Sequence, residues 1–408
     1  MRELSPALLH ELEEAAGASL ETTDAMRVLA PVSTEHVAVV MKIASREKLV
    51  VTPAGAGTKS GWGNDVAADL MLSTRELAGV REHVWQDLTA TVGAGTTWAA
   101  MQESLAQHGQ RVALDAFAAE AATVGGVLAT NDSGLLRLRY GSLRDLVLGV
   151  TVVLADGTIA RSGGKVVKNV AGYDLPKLFL GSFGTLGIVT EMTFRLHPIP
   201  AVAKSFTARS TDALELAEFM KRALAASLAI ERLQMRNEST AFALDVELAS
   251  DASVVNEHAI RLEELAGALV LTTADAGVWQ VRDEVLKANA EATVLKITAL
   301  PAKLAPLLAG FAQLSQQPDH HFRAVVDPVG VVTVSCEAPP ETVVATVEDL
   351  RARLRSSGGN VVVLQRGWLP SLIDAWGIPP QAIDMMRAVK EEFDPAATLN
   401  TGKFVGGL

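Results

Sequence analysis

The rhythm of apolar positions along this chain changes near residue 200. Before it, helical and strand patterns are mixed with many glycines. Residues 4–16 carry apolar side chains at helical spacing, with Ser5-Pro6 at the start. Residues 37–44 place Val37, Val40, Met41 and Ala44 on one helical face, and Ser33-Thr34-Glu35-His36 has a capping-box pattern. Short apolar runs at 27–30, 50–53, 70–73 and 88–92 read as strands, and a helix is expected at 97–107. Strands 50–53 and 88–92 both end in glycine-bearing loops, which describes an α/β domain.

From 123 to 197 small residues and turn formers are dense. A strand is expected at 147–154, a hairpin turn at 155–158, a short helix around Leu178, and a strand running through Leu196. His197-Pro198-Ile199-Pro200 has two prolines in three residues and reads as a domain boundary. Beyond it glycines thin out and the elements alternate. Strand 204–208, helix 212–226, strands 229–235 and 241–248, helix 252–266 and strand 268–271 give βαββαβ. The order recurs as 292–297, 301–314, 322–326, 331–335, 340–354 and 360–364. This weak architectural repeat suggests a mostly antiparallel sheet backed by helices, a ferredoxin-like cap. Helix 379–393 and a turn-rich tail close the chain.

Composition narrows the class. A chain of 408 residues exceeds one ordinary core, and 49% hydrophobic with 20% charged residues describes a soluble globular protein. A net charge of −11 without basic blocks argues against nucleic acid and against a polybasic membrane patch. No apolar run approaches the ~18 residues that a membrane span needs, and residues 1–14 lack a signal peptide's apolar segment. A cytoplasmic location is expected, with membrane association only through partner subunits. Cys336 is the only cysteine, which excludes internal disulfides and a cysteine-ligated iron–sulfur cluster within the chain.

The chemistry concentrates in Val50-Val51-Thr52-Pro53-Ala54-Gly55-Ala56-Gly57-Thr58-Lys59-Ser60-Gly61-Trp62-Gly63. A strand runs into a loop of glycines and small polar residues, whose backbone N–H groups could form an anion nest. A plain surface turn is the alternative reading. The glycines miss the G-x-G-x-x-G spacing, and Thr58 stands where a Walker loop needs glycine before its Lys-Ser. The adjacent pair His320-His321 would point to opposite faces of a strand, so no metal site is expected. Trp62, Trp279, Trp368 and Trp376 are assigned to core or interface rather than to ring stacking.

Four segments carry a resemblance. Pro53-Ala54-Gly55-Ala56-Gly57-Thr58, then Thr123-Val124-Gly125-Gly126 with Asn131-Asp132-Ser133-Gly134, then Gly181-Ser182-Phe183-Gly184-Thr185-Leu186-Gly187-Ile188, and Phe393-Asp394-Pro395 with Leu399-Asn400 occur in one order. That set resembles flavoproteins with a PCMH-type FAD-binding fold, the vanillyl-alcohol oxidase superfamily. Gly164-Lys165-Val166-Val167-Lys168-Asn169-Val170-Ala171-Gly172-Tyr173-Asp174-Leu175 is most similar to the FAD-binding E subunits of bacterial glycolate oxidases. The resemblance implies an α+β fold: a PCMH-type FAD-binding domain of two α/β subdomains at 1–199, a ferredoxin-like antiparallel cap at 200–375, and a C-terminal segment at 376–408 returning to the first domain.

It also implies roles. Pro53, Gly55, Ala56, Gly57, Thr58, Lys59, Ser60 and Gly61 would hold the FAD diphosphate. Asp115, Thr123, Gly125 and Gly126 would line diphosphate and flavin, followed by Asn131, Ser133 and Gly134. Gly187, Ile188 and Val189 would meet the adenine, and Asn400 the isoalloxazine. Asp115, Thr123 and Ser133 read equally well as helix or turn caps, and any one glycine as a turn residue. Lys168 and Tyr173 read better as a surface lysine and a packing tyrosine than as proton shuttles, and no catalytic residue is named.

Three departures shape the function. No histidine lies between His36 and His83, so the loop cannot supply a covalent flavin link, and FAD should be non-covalent. No His-containing Asp-Gly-Asn motif follows residue 200; Asp327-Pro328-Val329-Gly330 has no histidine partners arranged with it. Thr401 replaces the proline usual after the tail asparagine. The expectation is an FAD-binding subunit of a glycolate oxidase-type complex, relaying electrons from a sister FAD-containing, hydroxy-acid-oxidising subunit to an iron–sulfur subunit. A stand-alone FAD-dependent dehydrogenase of a small 2-hydroxy acid, and an assembly subunit with structural FAD, are the alternatives.

Overall fold

The computed structural model describes residues 2–23, 26–164, 174–369 and 373–408. Lys168, Tyr173 and most of the 164–175 motif lie outside the described residues. The chain divides into two compact units, residues 1–133 with 140–199 and 378–408, and residues 134–139 with 200–377.

Among the described residues the first unit holds a two-stranded ribbon, which pairs Gln110–Arg111 with His197–Pro198, and two larger sheets. One has four strands in the order Glu21–Thr22, Arg27–Leu29, Leu70–Ser73, Val51–Ala54. Its first pair is antiparallel and the other two pairs are parallel. Helices Pro6–Ala16 and Thr34–Arg46 bury Leu12, Ala16, Val37, Val40, Met41 and Ala44 in the core that holds Leu29, Val51, Leu70 and Leu72. Ser33 opens the second helix by accepting from the His36 N–H at 3.2 Å. The position where a capping box carries a carboxylate is His36, whose Nδ1 lies 2.9 Å from Ser33 Oγ.

The other sheet has five antiparallel strands in the order Val80–Val84, Thr89–Gly93, Ile188–Arg195, Val147–Val153, Ile159–Gly163. Helices Trp98–Ala106 and Val124–Thr130 share its core, which contains Trp98, Met101, Val127, Leu128 and Phe194. The 155–158 turn forms as expected, with Gly157 at φ +80°.

Strand Val51–Ala54 lies at the edge of its sheet, and the C-terminal tail docks on its free side. Val51 N–H donates to Thr398 O at 2.7 Å, and Asn400 N–H donates to Val51 O at 2.9 Å. Pro53, which has no N–H, falls just beyond that pairing.

The second unit is built on one eight-stranded antiparallel sheet. Its order is Leu271–Ala274, Val202–Ser210, Phe242–Ser250, Ile230–Asn237, His321–Asp327, Val331–Glu337, Thr293–Thr298, Asn360–Gln365. Each half has ferredoxin-like βαββαβ order, and the halves join where Met235 and Arg236 pair with Val326 and Val325. Helices Ala213–Ala225, Ala252–Ala266, Leu304–Leu314 and Pro340–Arg355 contribute to a continuous core with the sheet.

Boundaries shift where turn chemistry intervenes. The strand expected at 268–271 forms at Leu271–Ala274, after a turn through Gly267 at φ +66°. The last helix begins at Ile383 rather than 379, since Pro379 and Pro380 precede it. Trp62 is buried, whereas Trp368 is 62% exposed and outside the core of its unit. Residues 276–286, unassigned by pattern, form a short 3-10 turn and the helix Val281–Leu286. There Gln234 Nε2 donates to Val278 O, and Trp279 Nε1 to Ser205 Oγ. Asp245, with no exposure, accepts from Thr207, Gln234 and Arg236, so a polar sheet face is buried as a bonded network.

Candidate functional site

A cavity of about 450 Å³ opens in the first unit at the end of strand Val51–Ala54. Its wall is made by residues 52–60, 71–75, 123–130 and 182–189 in part, with Glu21, Val28, Asn400 and Lys403.

The glycines in this wall have distinct causes. A Cβ on Gly55 would lie 1.9 Å from Thr123 Oγ1, so glycine lets the loop touch the start of helix Val124–Thr130. Gly57 has φ +76° in open space, a conformational requirement rather than a packing one. Among the described residues, none accepts a hydrogen bond from the backbone N–H of Ala56, Gly57 or Thr58. These three donors are what an anion nest requires.

Lys59 contributes its backbone to the wall, while its side chain is buried. Nζ lies 3.4 Å from Asp132 Oδ2 and donates to Phe117 O at 3.4 Å, with Trp62 and Phe117 rings 5.8 and 5.7 Å away. Asp132 also accepts from the Phe117 N–H at 2.7 Å. The loop is thereby tied to two distant segments by a paired, desolvated charge.

Thr123 caps helix Val124–Thr130 by accepting from Gly126 N–H at 3.3 Å, and it also lines the cavity. On the far wall Phe183 has φ +54°. Its carbonyl accepts from Asn400 Nδ2 at 2.6 Å, and its ring stacks on Phe404. Asn400 Oδ1 accepts from Thr52 Oγ1 at 3.0 Å. The tail is further pinned by buried Lys390, which donates to Asp394, to Thr185 O at 2.8 Å and to Leu399 O at 2.9 Å.

Of the residues expected from the sequence, Pro53, Gly55, Ala56, Gly57, Thr58, Lys59, Ser60, Thr123, Gly125, Gly126, Gly187, Ile188, Val189 and Asn400 line this one cavity. Gly61, Asp115, Asn131, Ser133 and Gly134 lie outside its lining. Asn131 is the left-handed C-cap of helix Val124–Thr130 at φ 47°, and Gly134 falls in the second unit. Arg75 and Lys403 line the cavity without having been expected. Arg75 Nη2 donates to Ala56 O at 3.3 Å, and Lys403 Nζ to Ser60 O at 2.7 Å.

Residues 25–163 match a family model described as an FAD binding domain. The chain carries an FAD-binding domain. Over 219 residues the chain is 34% identical to a glycolate oxidase subunit GlcD of Bacillus subtilis, covering 53% of this chain and 47% of that protein. A D-lactate dehydrogenase of Archaeoglobus fulgidus is 37% identical over 172 residues, 42% of this chain and 38% of that protein. The mitochondrial D-2-hydroxyglutarate dehydrogenase of Bos taurus is 36% identical over 177 residues, 43% and 32%. The matches span less than half the length of each of these relatives.

Solved structures share the fold. An alkyldihydroxyacetonephosphate synthase superposes with a TM-score of 0.70 over 92% of this chain and 76% of its own, at 18% identity. A chitooligosaccharide oxidase does so with 0.70 over 96% and 97%, at 15% identity. The fold is the PCMH-type arrangement with an antiparallel second domain.

The FAD-binding domain's own geometry fits the cofactor. Three N–H donors, a positive-φ glycine and an apolar strip of Val28, Met71, Ile188 and Val189 share one cavity. With the Lys59 ammonium buried against Asp132, its other charged lining residues are Arg75 and Lys403 against Glu21, two cations and one acid, a net of +1 on a chain of −11. No histidine, cysteine or tyrosine is among the described lining residues.

Proposed function

We propose that this chain is an FAD-dependent oxidoreductase subunit of a glycolate oxidase-type complex, in which 2-hydroxy acid is oxidised on a sister flavoprotein subunit. The observation that carries the reading is the composition of the cavity wall. It supplies backbone donors and cations for a diphosphate, together with apolar residues for an aromatic ring.

When bound, FAD supplies reversible electron transfer. The chain's residues hold and orient it. Ala56, Gly57 and Thr58 offer N–H groups to the diphosphate; Ile188, Val189 and Val28 offer apolar contact to an aromatic ring; Asn400 fixes the tail beside Thr52 and Phe183. With no nucleophilic histidine, cysteine or tyrosine in the described wall, the cofactor is held by hydrogen bonds and packing and is dissociable. Of the expected residues outside the lining, Asn131 closes helix Val124–Thr130.

The acceptor side rests on the partner. Cys336 is buried and its thiol pKa is pushed up by desolvation, so this chain offers no cysteine ligand for a cluster. An iron–sulfur subunit is therefore the proposed acceptor, and the relative named as a glycolate oxidase subunit supports assembly with further chains. Among the described residues no helix is long and apolar enough to cross a membrane. A cytoplasmic complex, reaching a membrane only through its partners, is the proposed location.

The relatives named as D-lactate dehydrogenases favour a second reading, a dehydrogenase that works alone. Tagging the chain and measuring the flavin and iron of what co-purifies separates the two. The complex reading expects FAD on this chain and iron on a partner; a chain that reduces its flavin with a 2-hydroxy acid unaided overturns it.

A further inference from the structure

We propose that Lys403 is a cofactor-positioning residue, coupling the C-terminal tail to the phosphate-facing loop and supplying positive charge to the diphosphate. The inference rests on the FAD reading above and assigns a role to a residue outside the loop itself.

The tail contacts three walls of the cavity. It pairs with strand Val51–Ala54 through Thr398 and Asn400, and it reaches Phe183 through the Asn400 side chain. At its far end Asn64 N–H donates to Lys403 O at 3.1 Å while Lys403 Nζ donates to Ser60 O at 2.7 Å. Lys403 therefore clasps both ends of the segment 60–64 from one residue. Lys403 also lines the cavity, as does Arg75, whose Nη2 donates to Ala56 O. Two cations thus secure the carbonyls of Ala56 and Ser60, on either side of Gly57 and Thr58, in the same cavity wall as the three N–H donors.

Two consequences follow. A cation at the wall attracts a diphosphate with a strength that salt weakens, because the site is open to solvent and the Debye length is about 8 Å at physiological ionic strength. Second, a ligand that bridges loop and tail stabilises both, and by linkage an intact clasp tightens the ligand.

The test is FAD titration of the full chain by flavin fluorescence at about 50 and 300 mM salt, in wild type, Lys403→Met and Lys403→Arg, with thermal unfolding of each FAD-free protein. The expected result is about tenfold weaker FAD binding in Lys403→Met, a flatter salt dependence, and recovery of both in Lys403→Arg. Hydrogen exchange should show FAD slowing the Asn64 amide in wild type and less so in Lys403→Met. Unchanged affinity, or weaker affinity with the wild-type salt dependence, overturns the proposal. Wild type that binds no FAD overturns the FAD reading instead.

Discussion

Gly55→Ala is the sharpest perturbation of the cradle. The added Cβ would stand 1.9 Å from Thr123 Oγ1 and 3.0 Å from Thr123 Cβ. Non-bonded carbons do not approach other heavy atoms within about 3.0 Å, so loop and helix start must separate by roughly 1.1 Å (3.0 − 1.9) or Thr123 must rotate. Rotation removes the cap on Gly126 N–H, worth about 1 kcal/mol. Separation carries the Ala56–Thr58 donors off a bound diphosphate, and each charge-assisted bond lost costs about 1.5–3 kcal/mol, or about 10- to 100-fold in affinity. The variant should bind FAD at least tenfold more weakly while the FAD-free protein still unfolds cooperatively. Removing Oγ1 and Cγ2 with Thr123→Ala should be harmful alone yet partly restorative in the double variant, a favourable coupling in the four-protein cycle. Wild-type FAD affinity in Gly55→Ala, or strict additivity with Thr123→Ala, would refute the claim that close contact at Gly55 sets the loop.

Other outcomes can be checked alongside. Lys390→Met takes the Lys390 cation from the fully buried Asp394 carboxylate, which keeps the Thr398 and Leu399 N–H donors, and should destabilise the first unit by about 2–4 kcal/mol, read by urea unfolding. His197 has its pKa lowered by burial, then by the Arg195 and Arg111 charges. The unfolded chain therefore takes up that proton near pH ~6.5 while the folded chain resists, so stability falls as pH drops below that value and levels off below the folded pKa. His197→Gln should flatten this acid slope in melting temperatures between about pH 5 and 7.5. The Cys336 thiol, buried with a raised pKa, should react with a thiol reagent only on unfolding and so report on the second unit alone.

Much of the second unit was legible because strand and helix patterns alternate along it, and Asp212 marks a helix start by accepting from the Leu214 N–H. Residues 276–286 were not, since a short helix laid over a polar sheet face carries no long apolar stripe. In the first unit the glycine loop, Thr123 and Asn400 stood out by residue type. Which aspartate anchors the loop did not: Asp132, adjacent to the C-cap Asn131, holds Lys59 and Phe117, and only the close of helix Val124–Thr130 brings it there. Arg75 and Lys403 are single cations in turn-rich stretches and have no periodic signature; the tail's return beside Val51 is what gives them a target.

The central claim is that this chain holds dissociable FAD and depends on a partner for substrate oxidation. The anaerobic absorbance spectrum of the purified, FAD-loaded chain before and after addition of glycolate and of D-lactate tests it most directly. The account predicts a retained flavin band that neither acid bleaches. Rapid bleaching by either acid, with no other subunit present, would contradict it.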